Sequence, residues 1–514
     1  MREPVDESME LTPTVMTLEA LLSDGLKSLP PGVRRALDGG QYSEALSAAN
    51  DAYSSQGPAD REATLTYAVL LIGRQLVDEA KGVLRRALEH HAQDVGLQLA
   101  QTEALLMEGD FEAAQSLLEG LESVSTLEPR HYAFVGDMYL DIDERDRALE
   151  CYRQALERGH ESAEIAYRLA HLFDERGDAD GAAHYLRMAA ELAGDNPMLW
   201  QAAAEACYEV ERVEDAADAW RRMLKERPTD IDAWFMLGLS YWFLDRFREA
   251  ADAFERVVDL TPRHLVAWRQ LGDVWLTIGR GEQALAAFEE ALEINGDDVD
   301  ALNGAVLAAY ETGDVEAAAE WAKRAVELDP TNRESRYHYA VVLLSLGRDR
   351  RAKNVLQQLV DTGEGALGDY LGALAVAELK CDDKEAAFEH IGEAVRLDGG
   401  AEWLAAFAEE LLKLRGADEA MDYLDRSVGG GDHWRVVRPF LGYVCAGLVE
   451  DDERAEAYET AFRDALEETP DVVPVFWNFE SWEAMAFRLE RRFEQTFDAM
   501  LGVIEGRREF DEWQ

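Results

Sequence analysis

The chain has 514 residues, and 104 Asp and Glu against 51 Lys and Arg give it a net charge of −53 and a pI near 4.4. That balance excludes the basic stripe needed to bind a nucleic-acid backbone or an anionic lipid surface. Hydrophobic residues make up 47% and aromatic residues 9%, which excludes wholesale disorder; at roughly 100–200 residues per domain, the length calls for several domains or one elongated array.

In chain order, residues 1–25 carry no apolar stripe and read as an acidic arm. Their opening, MREPVDESMELTP, lacks the basic and then apolar pattern of a secretory signal. Residues 26–60 read as a partial repeat: Gly40, Ala45, Ala49 and Ala52 follow the spacing of a second helix, and Pro30-Pro31 shortens the one before it. From Arg61 the pattern restarts every 34 residues, at Val95, Pro129, Ala163, Pro197, Ile231, Leu265, Val299 and Arg333. The twentieth residue of every unit is alanine: Ala80, Ala114, Ala148, Ala182, Ala216, Ala250, Ala284, Ala318 and Ala352.

Four places after each alanine stands a larger side chain (Tyr152, Trp220, Phe254 and Phe288 among them, with Ala322 the small exception), and three further on another apolar one. Spacings of four and three mark one face of a helix. The first half of a unit carries a second stripe, such as Trp234, Leu237, Gly238 and Tyr241. Turns such as Glu108-Gly109-Asp110 and Thr312-Gly313-Asp314 separate the stripes, and Pro228, Pro262 or Pro330 stops the second helix. Each unit is therefore expected to be a hairpin of two helices of roughly 12–15 residues. One hairpin cannot bury both of its faces, so the units must stack.

After residue 366 the phase slips by one, and residues 367–466 read as degenerate hairpins starting at Gly368, Ala401 and near Arg438. Gly429-Gly430-Gly431-Asp432 reads as a joint, since it lacks the Lys-Ser/Thr of a phosphate loop. Residues 467–514 contain Pro470 and Pro474, then Phe476, Trp477, Phe479, Trp482, Phe487, Phe493 and Phe497 on a long helix. The expectation is a capping helix that seals the last hairpin; the alternative is an aromatic docking segment.

The 34-residue pattern resembles the tetratricopeptide repeat family. The Ile231 unit carries Trp234, Leu237, Gly238, Tyr241, Ala250, Phe254 and Pro262 on the family motif, with Val257 in place of Ala. The resemblance covers about residues 26–466 and implies an all-α, right-handed superhelical solenoid of antiparallel helical hairpins. It also implies that the first helices line a concave groove where ligands lie, at the second, fifth, ninth, twelfth and thirteenth places of a unit. In the Ile231 unit these are Asp232, Phe235, Leu239, Trp242 and Phe243; neighbouring units supply Gln201, Glu205 and Tyr208, then Arg269, Asp273 and Asn303. Further toward the N-terminus come Glu103, Arg130, Asp137, Tyr167 and His171.

Two readings of this face stand. Phe235, Trp242 and Phe243 form an anchor pocket, with Glu103, Asp137, Glu205 and Asp273 at ninth places an acidic stripe that favours a basic segment. Alternatively the aromatics pack against the adjacent hairpin and the acids are ordinary surface. The family's chaperone-tail members hold a C-terminal carboxylate with Lys at the fifth place and Asn at the ninth. No unit from Arg61 to Arg333 has either, so such capture is not expected.

No catalytic constellation stands out. The ten histidines form no HExxH or metal-ligand spacing, His90-His91 closes a helix, and Cys151, Cys207, Cys381 and Cys445 include no CxxC. Cys207 stands where sister units carry Tyr or Trp and reads as a core thiol. No cofactor or metal is expected, nor a membrane span, since no apolar run approaches 18 residues. The expected function is a non-enzymatic, cytoplasmic scaffold binding an apolar or aromatic partner segment with basic flanks. The alternatives are an array self-associating through its C-terminal segment and a regulatory subunit of a separate enzyme. Only eight of the 51 cations are Lys, which with the acidity resembles proteins of salt-accumulating microbes.

Overall fold

The computed structural model describes residues 17–19, 21–22, 25–122, 127–397, 400–427, 431–469, 489 and 491–504. Most of the expected acidic arm, Gly429-Gly430, Pro470, Pro474 and the aromatics from Phe476 to Phe487 lie outside them. Among the described residues every regular element is a helix.

The nine first helices are Arg61–Gly73, Val95–Glu108, Pro129–Asp141, Ala163–Glu175, Pro197–Glu209, Ile231–Phe243, Leu265–Thr277, Val299–Glu311 and Arg333–Ser345, each starting at the first residue of its 34-residue unit. The second helices are Val77–Leu88, Phe111–Glu122, Arg145–Glu157, Ala179–Ala193, Val213–Glu226, Phe247–Leu260, Gly281–Ile294, Val315–Leu328 and Asp349–Val360.

Local chemistry sets these boundaries. The residue before each first helix is a cap, and in eight of the nine its side chain accepts a backbone N–H of the first turn, as Asp60 does from Ala63 at 2.8 Å and Asp298 from Ala301 at 2.8 Å. Such a cap is worth about 1 kcal/mol, and Asp60, Asp94, Asp230 and Asp298 also place an anion at the positive helix end. The fifteenth residue of every unit adopts positive φ, and in four units it is Gln75, Asp143, Glu211 or Asp245 instead of glycine.

The chain divides into two compact units, Met1–Arg246 and Phe247–Gln514, the division falling in the turn after Ile231–Phe243. Within each, a second helix packs against the next first helix, and first helices touch their neighbours. All nine twentieth-place alanines are buried, none more than 6% exposed. Small residues also let first and second helices close up: a Cβ on Gly272 would lie 2.7 Å from the ring of the fully buried Phe288 of the same hairpin.

Further hairpins follow, at Leu367–Lys380 with Lys384–Arg396, at Ala401–Arg415 with Ala417–Arg426, and at Gly431–Leu448 with Asp452–Glu468. The last begins seven residues before Arg438, so Gly431 and Asp432 belong to a helix and not to a joint. Its marker is Trp434 at the fourth place, whose Nε1 donates to the Ser427 carbonyl at 3.0 Å. Trp234 and Trp268 make the same reach back to the Pro228 and Pro262 carbonyls, each at 2.9 Å.

Helix Arg491–Ile504 packs on Gly431–Leu448, burying Phe493 and Phe497, with Phe497 stacked on Phe440 at 5.5 Å. These two rings cover core and are not a docking surface. At the other end, Leu18, Leu21 and Leu22 are fully buried, so the packed part of the chain begins well before residue 26.

Candidate binding face

In the N-terminal unit, helix Ile231–Phe243 carries Phe235, Leu239 and Trp242 half-buried, at spacings of four and three, and Phe243 62% exposed at its end. The Phe243 ring meets Tyr208 edge-on, with centroids 6.0 Å apart. Glu205 is exposed and accepts from Gln201 Nε2 at 2.9 Å. Met198 and Tyr167, at second and fifth places of their own hairpins, are 59% and 47% exposed. This surface is apolar and aromatic, with few fixed charges.

The expected site residues of the C-terminal unit behave differently. Arg269 is taken up by Asp300 at 2.6 Å and by the helix cap Asp298 at 3.5 Å. Asn303 is only 3% exposed: its Oδ1 accepts from the Ser335 hydroxyl at 2.9 Å, and its amide nitrogen is enclosed without a partner. Neither is presented to a ligand, because each ties its hairpin to the next. Asp273 is half-buried, and burial pushes its carboxyl up to about 6 against the pull of Arg269. The exposed large apolar side chains at these places among the described residues of that unit are instead Val266, at the second place of the Leu265 hairpin, and Leu307 and Tyr310, at the ninth and twelfth places of the Val299 hairpin. The same place rule picks out all three in the sequence.

The ninth-place acids do not form a row of solvent-facing charges. Glu205 is the exposed one. Asp137 accepts from the Tyr152 hydroxyl and pairs with Arg168 at 2.5 Å, and burial raises its pKa. Glu103 has one carboxylate oxygen enclosed without a partner, and burial pushes its carboxyl to about 7. Desolvation of a carboxylate favours its neutral form, which weakens these groups as lures for a basic segment.

Cys207 is fully buried beside Ala183 and Ala216, and burial raises its thiol pKa; the Cys445 thiol is pushed to about 12. Both are inert core thiols in consequence. Among the described residues no group of three His, Cys, Asp or Glu is placed to hold a metal, and no helix is long and apolar enough to cross a membrane.

Models of the tetratricopeptide repeat match residues 32–95, 90–241, 235–298, 278–333 and 309–377, an unbroken run from 32 to 377 of the 514 residues. The chain belongs to the tetratricopeptide repeat family. Among solved structures it is similar to MamA from Desulfovibrio magneticus RS-1, residues 41 to the end (21% identity, 33% of this chain and 95% of that one, TM-score 0.32). It is also similar to YrrB, described as a TPR protein with an unusual peptide-binding site (22% identity, 36% and 96%, TM-score 0.31). The APC/C hetero-tetramer Cut9-Hcn1 matches over 93% of this chain and 99% of that one at 16% identity and TM-score 0.36. No match was found among curated proteins.

Proposed function

We propose that this tetratricopeptide repeat protein is a non-enzymatic scaffold that holds an extended or helical segment of a partner protein on the first-helix face of its hairpins. One observation supports this above the rest. Phe111, Tyr167, Phe243 and Tyr310 are the exposed aromatics among the described residues, and the last three stand at fifth, thirteenth and twelfth places of their units. Large apolar side chains are left in water at places where stacking does not use them. Such anchors commonly carry most of a binding free energy, and a segment held this way reaches about −7 to −9 kcal/mol, near micromolar.

The test is capture from the source organism's lysate at its native salt, comparing the full chain with Phe243→Ala and with Phe235→Ala/Trp242→Ala. Phe243 is the cleaner probe, because its exposure lets it be truncated without opening the core. The expected result is a partner band lost in both variants with far-UV helicity unchanged. A band retained in both would overturn the assignment of this face.

A further inference from the structure

The fifth, ninth and twelfth places of the Arg61 hairpin hold Leu65, Val69 and Ile72, and the fifth place of the Val95 hairpin holds Leu99. All four are at most 2% exposed, whereas Tyr167 at a fifth place further along stands open. The chain's own N-terminal segment packs here: Leu18, Leu21 and Leu22 are fully buried in the same apolar cluster, and the Leu21 carbonyl and the Leu65 side chain both close on the space beside Gly96. Two arginines of first helices hold its main chain, Arg61 Nη2 donating to the Leu21 carbonyl and Arg130 Nη1 to the Glu19 carbonyl, each at 3.3 Å. The Thr17 hydroxyl bonds the Glu103 carboxyl.

Gly96, at a second place, fits this arrangement. A Cβ there would lie 2.9 Å from the Leu21 carbonyl oxygen and 2.9 Å from the Arg61 guanidinium, so the segment's backbone passes where other units carry a side chain. Beyond the segment the face opens into a cavity of about 920 Å³, walled by Lys27 and Arg34 and by Ala133, Ile165 and Arg168.

We infer that the segment carrying Thr17, Leu18, Leu21 and Leu22 is a built-in ligand of this face, and that the partner segment taken by the first hairpins has the same chemistry: a short amphipathic stretch with leucines at i, i+3 and i+4. The inference rests on the reading of the first-helix face as a binding face. Arg61 and Arg130 grip carbonyls and read no side chain, so selectivity falls to the spacing of Leu18, Leu21 and Leu22, which is that of an amphipathic helix in a groove. Tethering gives it an effective concentration near millimolar, so a free partner helix competes only when it binds well or when the tethered copy is weakened.

The experiment uses a fluorescent peptide of residues 14–27 and the full chain, wild type and Leu18→Ser/Leu21→Ser, read by anisotropy. The peptide is expected to bind the variant about ten-fold or more tightly than the wild type, and a peptide carrying the same two serines is expected not to bind. No binding to a variant of unchanged far-UV helicity overturns the inference. So does loss of helicity in the variant, which would make the segment part of the core. Since the probe is the chain's own segment, failure here with partner capture at Phe243 intact sinks only this inference, and the reverse sinks only the aromatic face.

Discussion

Replacing Glu103 by Gln isolates the electrostatic consequence of a covered face. Glu103 stands at the ninth place of the Val95 hairpin, bonded by Thr17 and close to Asp141, with burial the largest influence on its carboxyl. Its pKa is pushed from 4.5 to about 7, so the folded chain binds that proton more tightly than the unfolded chain does. The sign follows by linkage. The stabilisation is complete below about pH 4.5 and is lost as pH rises through about 7, because ionising the folded carboxyl costs desolvation that the unfolded chain avoids. At 1.36 kcal/mol per pH unit the gap between 4.5 and about 7 amounts to about 3 kcal/mol by pH 8.

Gln cannot ionise and keeps an acceptor for Thr17. The variant should therefore match the wild type at pH 4.5 and exceed its stability by about 2–3 kcal/mol at pH 8. Urea unfolding at pH 4.5, 6.5 and 8 measures the difference. Because solenoids open in segments, amide exchange across Val95–Glu108 is needed to place the effect. A difference between the two proteins that does not change with pH would refute the reasoning, as would a variant less stable than the wild type at pH 8.

Gly272→Ala should cost about 1–3 kcal/mol, because the new methyl group meets the Phe288 ring at 2.7 Å in a filled core; a neutral result in thermal denaturation would mean the two helices separate freely. Glu211→Gly should stabilise by about 0.5–1 kcal/mol, since Glu211 sits at φ 60° where glycine carries no Cβ penalty. Asp245→Gly at the equivalent place serves as a replicate. Salt adaptation predicts a thermal midpoint that climbs steeply between about 0.1 and 2 M KCl as screening shortens from about 10 Å to below about 3 Å, and a flat profile rejects it.

The repeat was legible because its causes are local and periodic. A twentieth-place alanine, a ring four residues on and a proline stop each answer one steric demand, and these demands recur in every hairpin. First-helix starts could be read to the residue for the nine in-phase units. The cap ladder of Asp60, Asp94, Asp230 and Asp298 was legible too, but was lost among 104 acidic residues. The last hairpin starts seven residues before the expected Arg438, because its degenerate second helix carries little register and Trp434 reaching back to Ser427 is what marks it.

The face was harder to read, for a physical reason. Which side chain occupies a place is fixed by sequence, but whether it meets water depends on what else lies over it. Arg269 and Asn303 satisfy the same place rule as Phe243, yet an ion pair with Asp300 and a bond from Ser335 close them off. Leu65, Val69 and Leu99 satisfy it as well and are buried in a cluster that also takes in Leu18, Leu21 and Leu22, some forty to eighty positions away in the chain.

That contrast bears on how such a protein divides its labour. Stacking demands one apolar face per hairpin and leaves the first-helix face without a fixed role. In the Arg61 and Val95 hairpins that face buries Leu65, Val69, Ile72 and Leu99 in one cluster with Leu18, Leu21 and Leu22; in the Ala163, Pro197 and Ile231 hairpins it holds Tyr167, Met198 and Phe243 in water. A uniform array would need neither arrangement, since polar side chains throughout would keep the same stacks soluble. Apolar places under a tethered cover, followed within the same compact unit by apolar places without one, fit the proposed reading of this face as one that receives a segment. In the reading proposed above, the tethered leucines satisfy the Arg61 and Val95 hairpins, and the uncovered aromatics are left for a partner.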